Sequence, residues 1–174
     1  MYIMKARGGG QLKEHLLSND EEFLRIYNNN KNTVFGIAFN YTKSNSDAND
    51  ILQDVFVKFF ISKKVFNGDE RIKAWLIRVT INACKKHLLS AWTRKTVPLD
   101  ESIPFVDRES SELFESVMFL PKHYRMVIHL FYYEGYSISE IASILRIKES
   151  TVKVRLMRAR NILRDRLKEV WLDE

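Results

Sequence analysis

An all-α protein of two small helical domains joined by an extended linker is what the sequence predicts. Apolar residues recur at helical spacing almost throughout the 174 residues, with only three prolines and six glycines to interrupt them. The exception is residues 93–111, where Pro98 and Pro104 lie in a stretch without a regular apolar repeat. A chain of this length builds one ordinary domain or two small ones. The lapse therefore divides it into a mobile N-terminal tail (1–17), a first domain (18–95), a linker (96–110) and a second domain (111–174).

Taken in order, Ser18 and Glu21 make a capping-box pair ahead of Phe23, Ile26 and Tyr27, which predicts a helix start. Val34, Ile37, Ala38 and Tyr41 carry a second helical stretch, with residues 28–32 as a candidate break between the two. Ser46 is the expected cap of a third helix. Its Ile51, Leu52, Val55, Phe56, Phe59 and Phe60 form a wide apolar stripe, with Asp47, Asp50, Gln53 and Asp54 on or beside the other face. The turn VFNGDE opens a fourth helix from about Glu70 to Ala91. Beyond the linker, Pro121 stands at a first-turn position and Gly135 at a stop. Ser137 and Glu140 cap the short helix ISEIASIL, and after a turn at about 146–150 a basic helix follows.

The formal charge is +6 and the sequence pI near 9.4, which suits a polyanionic partner or an anionic membrane surface. Between the two basic halves the sign changes: residues 99–115 hold Asp100, Glu101, Asp107, Glu109, Glu112 and Glu115 against Arg108 alone. The single cysteine, Cys84, has no partner for an internal disulfide, and no CxxC or Cys/His set offers metal ligands, so a reducing cytoplasm is expected and no metal or cofactor. The opening MYIMKARGGGQ lacks an apolar core of signal-peptide length, and no apolar run is long enough to span a bilayer. The expectation is a protein that is neither exported nor inserted in a membrane.

Two helices joined by a short turn, with Ile141, Ala142 and Leu145 on the first and Val152 and Leu156 on the second, have the pattern of a helix-turn-helix. Turning Val152, Leu156, Ala159 and Leu163 inward sends Lys153, Val154, Met157 and Arg158 outward together, with Arg155 and Arg160 on the flanks. That outer row suits a DNA major groove: cations reach guanine edges or phosphates, and Val154 or Met157 meets thymine methyls. A solvated amphipathic helix is the plainer reading, but the preceding capped helix and the near absence of acid on the outer face weigh against it. In the first domain, residues 71–95 contain no acid, while Arg71, Lys73, Arg78, Lys85, Lys86, Arg94 and Lys95 are interleaved with Trp75 and Trp92. Such a surface can follow an opened strand while bases stack or enter pockets. Trp75 shares helical spacing with Val79 and is read as core, whereas the Asn82 amide can pair with a base edge.

The segments SDANDILQDVFVKFF, FNGDERIKAWLIRVTINACKKHLL, LPKHYRMVIHLFYYEGYSISEIASIL and STVKVRLMRAR, in that order, resemble an extracytoplasmic-function sigma factor of bacterial RNA polymerase, over about Asp20 to Leu167. The resemblance implies that the first domain is sigma region 2, which binds core polymerase and melts the −10 element, and that the second is region 4, which reads the −35 element as duplex. It implies that Asp50, Gln53, Asp54 and Phe56 dock on the β′ clamp. Phe66, Asn67, Gly68 and Asp69 match the loop beside a flipped −10 base and Asn82 its pocket, with Arg71, Lys73, Arg78, Lys85 and Lys86 along the strand. Ser150, Thr151, Lys153, Val154, Arg155, Met157 and Arg158 match the −35 readers. The implied partners are core polymerase (β′ clamp and β flap), promoter DNA and an anti-sigma factor, soluble or membrane-bound, with a stress or envelope-signal regulon as the output. The sequence departs from the family at Arg146, where glycine is usual, at Glu149 and Ser150, where proline or glycine is frequent, and at Val154, where serine is common.

Two other classes explain less of the sequence. A regulator with a helix-turn-helix output domain explains residues 138–167 but leaves the basic stretch 71–95 and the acidic linker without roles. For an enzyme there is no phosphate loop, metal set or nucleophile elbow, and His87, His123 and His129 are scattered singly, so no catalytic residue is expected.

Overall fold

The computed structural model describes residues 9–62, 64, 66–94 and 108–172, and within them the side chains of residues 20–62, 64, 66–90 and 112–168. The expected linker lies outside the described residues except at 108–110, which are helical. The elements are α1 (Gly9–Thr42), α2 (Asn45–Ile61), α3 (Asp69–Arg94), α4 (Arg108–Phe119), α5 (Lys122–Ile128) running into a π-helical turn (His129–Tyr133), α6 (Ile138–Leu145) and α7 (Glu149–Leu172). No strand occurs among the described residues, so the all-α expectation holds.

Helix α1 corrects the expected start at Ser18 and break at 28–32, because it is continuous from Gly9 and so also enters the segment expected as a tail. Ile26, Asn30, Val34, Ile37 and Ala38 form one unbroken buried stripe, and the buried Asn30 amide donates to the Ile26 carbonyl at 2.8 Å. With its side chain satisfied one turn back, that asparagine continues the helix instead of ending it. The cap of α2 is Ser44 and not Ser46: Ser44 is extended and its hydroxyl accepts from the Asp47 N–H at 3.2 Å. Lys43, at φ 57, makes the sharp turn between α1 and α2.

Helices α1 to α3 enclose a core of Ile26, Val34, Ala38, Ile51, Val55, Phe56, Leu76 and Cys84. Burial pushes the Cys84 thiol up to about 12, which makes it an inert packing group, as its apolar neighbours in sequence imply. In the second half, Val127, Leu130, Ile141, Val152, Leu156 and Ala159 are buried together. Ser137 and Glu140 form the expected capping box on α6.

The halves are packed against each other. Ile37 of α1 and Ile77 and Ile81 of α3 belong to the same buried cluster as the second half's core. Conversely, Phe114 and Met118 of α4 lie on the first half's core, with the Phe114 and Phe39 rings stacked at 6.3 Å. Burying each of these isoleucines contributes up to about 1.5–3 kcal/mol. Charge joins the apolar contact through Arg125, which is buried and donates to the carbonyls of Asn40, Met118 and Leu120.

Candidate nucleic-acid and polymerase interfaces

The turn between α6 and α7 aims the second helix. Arg146, where the family usually has glycine, nevertheless adopts the left-handed conformation at φ 56, ψ 50, and the Ile147 N–H bonds the Ala142 carbonyl at 3.0 Å. Helix α7 then buries Val152, Leu156 and Ala159 and leaves Lys153, Val154, Met157 and Arg158 exposed in one outward row, as expected. Val154 and Met157 are 40% and 53% exposed. Arg160 belongs elsewhere: its guanidinium donates to the Tyr132 hydroxyl at 2.9 Å and lies over the Phe131 and Tyr132 rings.

Ser150, Thr151, Val154, Arg155 and Arg158 line one side of a cleft of about 340 Å³, and His123 and Tyr124 from the start of α5 line the other. Sequence reasoning missed these two, because their only signal was a histidine and a tyrosine distant from the basic helix. Partial burial, then Arg155 and Lys122, hold the His123 imidazole below its ordinary value, so it is neutral at pH 7.

The first half presents a different surface. On α3, Arg71, Arg78, Asn82 and Lys85 are exposed at spacings of seven, four and three, which places them on one face, with Lys86 adjoining. Lys73 departs from that set. It turns to the second half and pairs with Glu134 at 3.0 Å. Trp75 is partly buried, as read from its spacing, and packs with Phe66 and Phe59 while the Lys64 ammonium lies 5.5 Å from its ring centre.

The loop before α3 turns at Gly68, whose φ of +94 only glycine adopts without strain. Asn67 is exposed beside it. Asp69 is committed to a two-bonded pair with Arg25 at 2.7 and 3.0 Å, and that hydrogen bonding lowers its pKa. It therefore ties the loop to α1 from the first turn of α3, where a carboxylate also suits the helix dipole. Phe66 lines a cleft of about 470 Å³ with Phe23, Phe59, Phe60, Lys64 and Ile72. Asn82 stands roughly two turns, about 10 Å, beyond Trp75 along α3, so the structure does not bring Asn82 and Phe66 together.

On α2, Asp50, Gln53 and Asp54 are exposed together as expected. Phe56 is not with them: it is 4% exposed and packs on Phe23 and Tyr27, because the α2 stripe that carries it is the core-facing one. A further apolar groove of about 340 Å³, lined by Leu113, Val117, Ile128, Tyr132, Tyr133, Arg160, Leu163 and Leu167, opens between α4, the π-helical turn and α7. No helix among the described residues is long and apolar enough to cross a membrane.

Residues 26–94 match sigma-70 region 2, and residues 115–163 match sigma-70 region 4. The ECF RNA polymerase sigma factor SigM of Mycobacterium tuberculosis is 29% identical over 154 residues, covering 86% of this chain and 79% of that protein. The ECF RNA polymerase sigma-E factor of Haemophilus influenzae is 28% identical over 180 residues, covering 90% and 93%. Among solved structures, the sigma factor RpoE of Bartonella quintana, in complex with the anti-sigma factor NepR, superposes with a TM-score of 0.71 at 21% identity, covering 86% of this chain and 96% of that one. CnrH, in complex with the cytosolic domain of CnrY, gives 0.63 at 23%, covering 86% and 90%. With both family regions matched in order on a two-part helical fold, the chain belongs to the sigma-70 family, in its extracytoplasmic-function group of RNA polymerase sigma factors.

Proposed function

We propose that this sigma factor binds core RNA polymerase, reads a −35 element as duplex through α7 and a −10 element as opened strand along α3, and so starts transcription of a stress or envelope-signal regulon. The observation that carries the reading is the α7 row: Lys153, Val154, Met157 and Arg158 stand exposed, with Val152, Leu156 and Ala159 buried directly behind them. A helix held this way from its back presents cations and apolar groups together, which is what base-edge readout in a major groove uses.

Core polymerase is assigned two contacts. Asp50, Gln53 and Asp54 form the acidic surface offered to the β′ clamp, with Phe56 supporting it from the core. The groove framed by Leu113, Tyr132, Tyr133 and Leu163 is of a size and character to take an apolar helix of the β flap. The relatives solved with NepR and CnrY supply the precedent for an anti-sigma partner here as well. Transcription in vitro from a genomic library, with purified core polymerase and this chain, tests the reading and reports the promoter. The expected result is a discrete set of start sites sharing two upstream elements. Initiation no more selective than core polymerase alone overturns it.

A further inference from the structure

We propose that Arg25 is a positioning residue for −10 recognition: through a two-pronged bond to Asp69 it fixes the turn that presents Asn67 to the opened strand. What the turn does rests on the −10 reading proposed above, whereas the clamp itself is a matter of geometry. Arg25 lies outside the segments that carry the sequence resemblance and just ahead of the stretch that matches region 2, residues 26–94.

Arg25 Nη1 donates to Asp69 Oδ2 at 2.7 Å and Nη2 donates to Oδ1 at 3.0 Å, across 44 positions of sequence. Two parallel bonds between planar groups fix orientation as well as distance, which a single contact does not. Each partner shifts the other in the direction that keeps both charged: the bond raises the Arg25 guanidinium and lowers the Asp69 carboxyl. Both side chains are nevertheless exposed, at 47% and 62%. An exposed pair adds little to global stability, so its effect is local, on the turn it holds.

That turn is short and anchored at both ends. At one end the Phe66 ring packs with Phe59 at 6.1 Å and with Trp75 at 5.6 Å between centres. Asp69, the first residue of α3, is the other anchor. Between them Gly68 turns at φ +94 and its carbonyl accepts from the Ile72 N–H at 3.4 Å, while Asn67 is exposed. With Asp69 committed to Arg25, Asn67 is left as the polar side chain of the turn that can meet a base, and its amide both donates and accepts. Holding the turn before the strand arrives removes an ordering cost from recognition.

The test uses Arg25→Ala, Asp69→Ala and the double variant in the full chain; Glu70 keeps a carboxylate in the first turn of α3 in all of them. In the free protein, amide hydrogen exchange at Asn67 and Gly68 should quicken in each variant at an unchanged thermal midpoint. With core polymerase and a promoter that the parent chain selects in vitro, permanganate reactivity at the −10 element should fall about two- to fivefold, the range that an exposed pair supplies, while affinity for core polymerase holds. The double variant should lose no more than the worse single one, since both break one contact. Unchanged exchange or unchanged melting in Arg25→Ala overturns the proposal. So does a loss in Arg25→Ala without one in Asp69→Ala, which makes Arg25 a direct DNA contact, and so do losses that add in the double variant. The exchange measurement needs neither DNA nor polymerase, so failure of the clamp is distinguishable from failure of promoter-selective transcription by the parent chain.

Discussion

Arg125 donates through Nε to the carbonyl of Asn40 at 2.6 Å, so a guanidinium of the second half closes the last turn of the first helix. It is 2% exposed, and its bonds run to carbonyls: Met118 and Leu120 accept the others. Burial lowers it to about 10, which still leaves it charged at neutral pH. Arg125→Met keeps most of the volume but leaves three carbonyls without this donor. A loss of about 2–4 kcal/mol is expected, read as a lower urea midpoint with an unchanged slope. A midpoint within error of the parent would show that these carbonyls find other donors.

Arg146 predicts a change of the opposite sign. At φ 56 a side chain crowds the following carbonyl, a strain of roughly 1–2 kcal/mol that glycine avoids, offset in part by glycine's freedom in the unfolded chain. Arg146→Gly should therefore stabilise the protein by about 0.5–1 kcal/mol. An unchanged or lower thermal midpoint would mean that the arginine side chain compensates for the strain.

Asp54→Arg tests the polymerase surface. The residue is exposed on α2 opposite the buried Val55 and Phe56, so reversal leaves the core untouched. Affinity for core polymerase should fall at least tenfold, with the thermal midpoint unchanged; equal binding of the variant in a titration removes α2 from the interface.

Helix existence and inward faces were legible because they depend on periodicity, which for α2, α6 and α7 is strong and local. Boundaries failed where a polar residue satisfied itself inside a helix: Asn30 bonds Ile26 and continues α1, and Ser44 rather than Ser46 accepts at the α2 cap. The outward row of α7 followed from placing Val152 and Leu156 inside. Lys73 and Phe56 stand apart from the exposed faces of the other expected residues for a common reason. Charge type and apolar type were read correctly, but the partner that decides orientation, Glu134 for one and the Phe23–Tyr27 pair for the other, is remote in sequence or on another helix. The same applies to His123, whose place beside Arg155 exists only once α5 packs on α7.

His123 is expected to make duplex binding depend on pH. In the free chain it is kept below its usual 6.5 by partial burial and by Arg155 and Lys122, so near neutrality it carries no proton. A phosphate in the cleft it shares with Arg155 and Arg158 reverses that balance and favours the imidazolium. Binding then takes up a proton, and affinity for a −35 duplex should rise severalfold from pH 8 to pH 6. His123→Gln should abolish the rise while retaining the preference among −35 sequences. A pH-independent parent affinity places the phosphate elsewhere. Arg158→Ala is the companion: base contact relaxes the preference at one position at a cost of about 1–3 kcal/mol, whereas a phosphate contact weakens all sequences alike.

The −10 surface gives the prediction that depends most on motion. Exposed cations such as Arg71, Arg78, Lys85 and Lys86 can hold a strand but cannot distinguish bases, so discrimination needs a shaped, hydrogen-bonding pocket. Family resemblance assigns that pocket to both Phe66 and Asn82, yet Phe66 packs with Phe59 and Trp75 while Asn82 stands about 10 Å beyond. If one base is to use both, it must bridge that gap or draw the loop carrying Phe66 along α3 as it arrives. Unstacking that base costs a few kcal/mol, so these contacts should act at opening and not at first encounter. Asn82→Ala is therefore expected to leave closed-complex affinity nearly intact, reduce promoter melting, and flatten the preference at one −10 position. Phe66→Ala should flatten the same position, and the double variant should lose less than the sum of the two. Permanganate reactivity and transcription across all four bases at each −10 position measure this. Effects at two different positions, adding in the double variant, would falsify a shared pocket, and an undiminished base preference in Asn82→Ala would remove that residue as the reader.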